Sequence, residues 1–182
     1  MSIWARMFPC PIPAVQGAAV ALSPDGTRLV YASGSPSKLF TRRLDQAKAT
    51  EFPGTQGAST AFFSPDGQWI GFYSAGKVNK ISVESGGGVP LGATTNFVGA
   101  GWSEDASFLV SGSLYKGLLR IPSGGGAPEM LAALANGEFG LFLPQILPGG
   151  KAVLFSALPT LEPDTASVEA LTLADRRRPS DL

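Results

Sequence analysis

Two Ser-x-x-Lys motifs stand in the sequence, Ser35-Pro-Ser-Lys38 and Ser113-Leu-Tyr-Lys116. On a helical turn such a lysine deprotonates the serine for acyl-enzyme chemistry. Neither motif has helical surroundings, and both fall in a loop between two strands, so both read as polar hairpin loops. Two glycine triplets, Ser85-Gly-Gly-Gly-Val-Pro90 and Ser123-Gly-Gly-Gly-Ala-Pro128, have the composition of a phosphate cradle. A cradle needs the glycines to open a helix, with a Lys-Ser/Thr pair in a P-loop. Here they join strands. Asp25, Asp66 and Asp105 each stand alone in a turn, without the clustered oxygens that calcium requires. Their role is to hydrogen-bond the turn backbone. The chain has no histidine, which excludes any in-chain Ser-His-Asp or Cys-His constellation and removes the commonest metal ligand. No catalytic residue, metal site or cofactor is therefore expected.

What remains is recognition chemistry. Four short segments, at 15–18, 56–59, 96–99 and 138–140, carry polar and aromatic side chains just ahead of apolar strands. Gln16, Gln56, Ser59, Asn96 and Glu138 offer convergent polar groups, and Phe97 and Phe139 offer apolar surface. Loops on a rigid scaffold are where binding tends to sit. These residues are the candidate ligand-binding set, provided that the fold brings the segments to one face.

Internal repeats place them there. Val20-Ala-Leu-Ser-Pro-Asp-Gly-Thr-Arg-Leu-Val-Tyr31 returns as Thr60-Ala-Phe-Phe-Ser-Pro-Asp-Gly-Gln-Trp-Ile-Gly-Phe-Tyr73. It returns again, weakened, around Ser103-Glu-Asp-Ala106 and Leu147-Pro-Gly-Gly150. The turns begin at residues 23, 64, 103 and 147, a period of about 40–45 residues, which is that of a propeller blade. Ser-Pro-Asp-Gly suits a type I turn, with proline at its second position and glycine at its last. The third copy lacks both, and alanine at a positive φ costs on the order of 1 kcal/mol, so another turn type is expected there. The fourth suits a type II turn.

Further strands follow each turn pair: Lys38–Leu44, Lys77–Val83, Gly117–Ile121 and Val168–Leu173. Short outer strands follow in the first three repeats, at Thr50–Pro53, Val89–Leu91 and Glu129–Leu131, where an edge tolerates proline. The expected fold is all-β, a propeller of four-stranded antiparallel blades. The blades run at about 17–58, 59–98, 99–139 and 140–173, after an N-terminal segment 1–16 and before a tail 174–182. One helical turn at most is expected, over Leu131–Ala135. Phe62, Phe63, Trp69, Phe72, Tyr73, Trp102 and Phe108 are expected in the core, at roughly 1.5–3 kcal/mol each when buried.

Composition agrees with a folded, heavily buried chain. Of 182 residues, 44% are hydrophobic and only 15% charged, and the formal net charge is zero. That balance gives no electrostatic footprint for nucleic acid or a membrane surface. Arg176-Arg177-Arg178 is a local exception and reads as a solvated tail. No apolar run reaches the roughly 18 residues of a membrane helix, so no membrane insertion is expected. The lone Cys10, between Pro9 and Pro11, cannot staple the fold, and the first residues make a poor signal peptide.

The Ser-Pro-Asp-Gly turns, with Arg28-Leu-Val-Tyr31 and Gln68-Trp-Ile-Gly-Phe72 behind them, resemble the TolB-like, WD-repeat-like propellers of bacteria. The longer pattern from Leu22 through Phe52-Pro-Gly-Thr-Gln-Gly57 to Phe72 is similar to the propeller found C-terminal to many bacterial serine/threonine kinase domains. The resemblance covers roughly residues 17 to 157. It implies a non-catalytic sensing or interaction module that binds a protein or small ligand, extracytoplasmic where it belongs to a receptor-like kinase. A gating propeller of the prolyl oligopeptidase type is the alternative, and it would need a hydrolase domain that these residues do not contain. Four blades leave three architectures: a closed ring with Ile3–Phe8 as the last strand, an open arc, or half of a ring completed by a second chain. The open arc is the expected one, with self-association through its open edges.

Overall fold

The computed structural model describes residues 20–159 and 165–178. Gln16 and the proposed closing strand Ile3–Phe8 lie outside the described residues.

The Ser-Pro-Asp-Gly turns fold through their own side chains. Ser23 Oγ donates to Asp25 Oδ1 at 2.5 Å and accepts from the Arg28 amide at 2.9 Å, while the Thr27 amide donates to Asp25 at 3.0 Å. The Gly26 amide closes the turn on the Ser23 carbonyl at 2.8 Å. Ser64 and Asp66 repeat this pattern, with Gln68 and Trp69 as donors. The third turn keeps it as well, contrary to the sequence expectation of another turn type. Ser103 Oγ donates to Asp105 at 2.7 Å, the Phe108 amide donates to Ser103 Oγ, and Ala106 takes φ 54° where its counterparts have glycine. The Ser-x-Asp hydrogen bonds therefore determine the conformation, and Ala106 accepts the strain. In the fourth turn Gly149, at φ 87°, supplies the positive-φ third position of a type II turn.

Each turn joins an inner strand to the second strand of its blade. Blade 1 is β1 (Val20–Leu22), β2 (Arg28–Ser33), β3 (Lys38–Arg43) and β4 (Thr50–Glu51). Blade 2 is β5 (Thr60–Phe63), β6 (Trp69–Ser74), β7 (Lys77–Ser82) and β8 (Gly88–Ala93). Blade 3 is β9 (Phe97–Trp102), β10 (Phe108–Leu114), β11 (Gly117–Pro122) and β12 (Glu129–Ala132), and blade 4 is β13 (Gly140–Ile146), β14 (Ala152–Leu158) and β15 (Ser167–Thr172). All pairings are antiparallel, and the glycine triplets lie in the β7–β8 and β11–β12 connections. Leu131–Ala135 forms no helical turn. Leu131 and Ala132 end β12, and the rest is irregular.

Blades 3 and 4 share one continuous sheet. The end of β10 pairs with the start of β13, Ser113 opposite Leu141 and Leu114 opposite Gly140. Gly112 makes room for this, because a Cβ there would sit 2.5 Å from the Leu141 carbonyl oxygen.

Alternation along the strands sends one set of side chains to the blade on each side. Val30 and Leu39 meet Ala61, Ile70, Phe72 and Ile81 between blades 1 and 2. Val78 and Leu91 meet Trp102, Leu109 and Ile121 between blades 2 and 3, with Phe62, Trp69 and Tyr73 packed against them. Val110 and Leu118 meet Leu141, Val153, Phe155 and Leu171 between blades 3 and 4. Of the seven aromatics expected in the core, Phe72 and Trp102 are buried, and the other five are half-buried at blade junctions.

The arginine run is not a solvated tail throughout. The chain turns back after β15, and the Thr172 amide donates to the Arg177 carbonyl at 3.1 Å along the outer edge of blade 4. Arg177 stays exposed. Arg176 donates to the Met130 carbonyl and to Glu129 on blade 3. The Arg178 side chain, only 5% exposed, bridges Glu138 and Glu169 and lies over the Phe155 ring. A charge that can pair twice in a cleft between blades does not need solvent.

Candidate functional site

The segments that precede β5, β9 and β13 all lie at one end of their blades, as do the β6–β7 and β10–β11 hairpins. The registers that put Thr60 opposite Tyr73 and Gly140 opposite Leu158 require this. What this face displays differs residue by residue. The Gln56 side chain is exposed, and its carbonyl accepts from Ser74 Oγ at 2.7 Å. Ser59 is half-buried, with its amide on the Tyr73 carbonyl. Asn96 is exposed at φ 52°, a left-handed position that asparagine tolerates. Of the described candidates, Gln56 and Asn96 are exposed and Ser59 is half-buried.

The other three candidates are held by the scaffold. Phe97 stacks flat on Tyr73, with centroids 4.7 Å apart, and ties blade 3 to blade 2. Phe139 packs edge-on against Tyr115 at 4.6 Å. Glu138 accepts from Arg178 Nη1 at 2.9 Å and from the Ala135 amide at 2.6 Å. The Arg178 guanidinium holds the Glu138 carboxyl below its ordinary range. Glu138 is therefore part of an ion network in which Arg178 also pairs with Glu169. The Ser-x-x-Lys serines have structural roles too: Ser35 lies in the β2–β3 loop, and Ser113 Oγ donates to the Thr95 carbonyl at 2.7 Å.

The inner strands line an open groove that reaches the turn end of the blades, at Pro24 and Pro65. β5 lies against β1 and β9, and β9 lies against β13. Between them is a concave volume of about 600 Å³, whose walls include Leu22, Phe62, Phe63, Gly99, Gly101 and Leu143. No Lys, Arg, Asp or Glu lines it. Its polar character comes from strand backbone and from neutral groups such as Thr60, Ser64 and Gln145.

Leu143 is the groove residue that the repeat pattern does not reveal. β13 loses register between Phe142 and Gln145, where Pro144 interrupts the ladder, and Leu143 stands at φ 49° and is 49% exposed. A bulge re-aims a side chain, and a non-glycine residue at positive φ persists only where its surroundings enforce it. The facing Gly99 leaves the space, since a Cβ there would come within 3.2 Å of Leu143. The sequence signal was available in Leu143-Pro144, a proline inside a strand, which marks a bulge or an edge.

Among the described residues no group of three or more His, Cys, Asp or Glu side chains is placed to hold a metal ion, and no helix is long and apolar enough to cross a membrane.

Comparison with known proteins gives a fold. No family model and no curated protein matches the chain. Solved structures match it over most of its length. A TolB protein from Agrobacterium tumefaciens superposes with a TM-score of 0.70 at 16% identity, over 88% of this chain and 62% of that one. The hydrazine synthase of Kuenenia stuttgartiensis gives 0.74 at 18% identity, over 88% and 47%. An oligogalacturonate lyase from Vibrio parahaemolyticus gives 0.68 at 14% identity, over 90% and 50%. The fold is a TolB-like propeller, and the chain spans about half the length of the structures it matches. Two of the three are enzymes by name, so the shared fold does not by itself assign a role.

Proposed function

We propose that this chain is a non-catalytic recognition module that seats an uncharged apolar group of a protein or small ligand in the groove between its inner strands. Gln56, Ser59 and Asn96, on the segments that lead into β5 and β9, supply neutral polar contacts to the same partner. The observation that carries this reading is the groove itself: about 600 Å³, free of ionisable side chains, and presenting a Leu143 that a strained bulge turns outward. Pockets of this size that are mostly apolar with a few neutral polar groups are the usual form of a small-ligand site. The resemblance of the repeat pattern to kinase-associated propellers supports a finer reading, in which the module is the sensor part of a receptor-like bacterial serine/threonine kinase.

A neutral environment-sensitive dye, Nile red, tests the groove. Its fluorescence should rise with the native protein and fall at least tenfold in affinity with Leu143→Asp, while Ser85→Asp in the exposed β7–β8 connection leaves it unchanged. Equal binding by Leu143→Asp and the native chain would defeat the proposal. Gln56→Ala with Asn96→Ala should weaken capture of a partner while the Tm barely moves.

A further inference from the structure

The repeat provides an internal standard for which side chains a neighbouring blade should cover. Ala32, Tyr73, Gly112 and Ser156 hold the same place after their turns, and their partners on the next strand are Leu39, Val78, Leu118 and Val168. Leu39, Val78 and Leu118 are 0% exposed, each covered by the blade that follows. Val168 is 70% exposed. Leu154, in the place of the fully buried Val30 and Val110, is only half-buried, and with Leu158 and Ala170 it extends the same uncharged surface.

The opposite end of the arc carries the complementary face. Leu29 and Tyr31 hold the places of Ile70 and Phe72 in blade 2, and of Val153 and Phe155 in blade 4. Those four are at most 3% exposed, and each meets the preceding blade. Leu29 and Tyr31 stand half-buried, Tyr31 stacks on Phe40 at 5.8 Å, and Val20 beside them is 51% exposed. Three charges lie on this face, and two of them, Lys38 opposite Ser33 and Glu51 opposite Phe40, neutralise each other in an ion pair at 2.8 Å. The third, Arg42, takes the place of the buried Ile81 and lies opposite Leu29 near the turn end, where its stem can cover apolar surface while its head reaches the rim.

We propose that the free face of blade 4 docks on the free face of blade 1 of a second copy. Two copies joined head to tail in this way close one ring of about eight blades, the upper end of propeller sizes. The interface continues the contact already made three times within the chain. The twofold arrangement contains two identical junctions and leaves neither face open. A heterologous contact that failed to close would instead give filaments.

Light scattering coupled to size exclusion tests this on the 182-residue chain. The expected mass is twice the chain mass of 18.8 kDa. Val168→Asp and Tyr31→Asp should each shift the dissociation constant at least a hundredfold towards monomer, with unchanged circular dichroism. A native chain that stays monomeric up to millimolar concentration would assign the faces to other segments and overturn the proposal. So would an open ladder of oligomers, or a dimer lost with Val168→Asp but kept with Tyr31→Asp, the sign of a face-to-face pair. Should the variants not fold, hydrogen exchange on the native chain decides. Protection that rises with concentration in β2, β3, β14 and β15 supports the ring, and exchange independent of concentration overturns it.

Discussion

Ala106 and the turn aspartates show how far single side chains control this backbone. Ala106 adopts φ 54° because Ser103 and Asp105 hold the turn around it. Ala106→Gly should therefore stabilise the protein by about 1 kcal/mol, the order of the steric penalty relieved, as read from chemical denaturation. The same hydrogen bonds hold Asp25 and Asp105 at a pKa of about 2 against an ordinary 3.8, chiefly through Ser23 and Ser103. A lowered folded-state value means that the unfolded chain binds more protons between these limits, so stability rises with pH there. The contribution is complete above the ordinary value and disappears as pH falls towards 2. Urea titrations from pH 5 to 2 should show this slope in the native protein and a shallower one in Asp25→Asn with Asp105→Asn. Unchanged slopes would mean that the turns do not depend on ionised aspartate.

At the scale of elements, the junction of blades 3 and 4 differs from the other two. It is joined by strand pairing at Ser113–Leu141 and locked by Arg178 between Glu138 and Glu169. Removing one member of a buried ion network leaves the others uncompensated, at roughly 3–5 kcal/mol. Arg178→Met keeps most of the stem over Phe155 but strands two carboxylates. It should lower stability by about that amount at neutral pH, and the loss should shrink in acid as Glu138, whose carboxyl Arg178 holds below its ordinary range, takes up a proton. A loss independent of pH would assign the effect to packing alone. Because Glu138 belongs to this lock, an effect of its substitution on binding must be read together with its effect on stability.

At the scale of the molecule, the sequence by itself determined the blades. Turn chemistry is local: Ser-Pro-Asp-Gly folds through bonds between residues two to five positions apart, so its recurrence shows the period, the hairpins and the outer edges marked by Val89-Pro90 and Pro128-Glu129. The aromatic-rich runs around the turns likewise marked the blade junctions, where Phe72 and Trp102 are buried and the other five aromatics half-buried. What only the tertiary structure decided depends on residues far apart in sequence. Arg178 is buried because Glu138, 40 residues away, meets it across a blade junction. Phe97 and Phe139 became scaffold because Tyr73 and Tyr115 reach them. Leu143 became an exposed residue of the groove, beside Leu22, because a bulge in β13 coincides with the space left by Gly99 on β9. Of the described candidate residues, Gln56 and Asn96 are exposed and Ser59 half-buried, while the packing of Phe97, Phe139 and Glu138 depends on neighbours distant in sequence. Local hydrogen bonds and strand alternation are written in the order of residues, whereas the partners of a side chain between blades are set by how the blades pack.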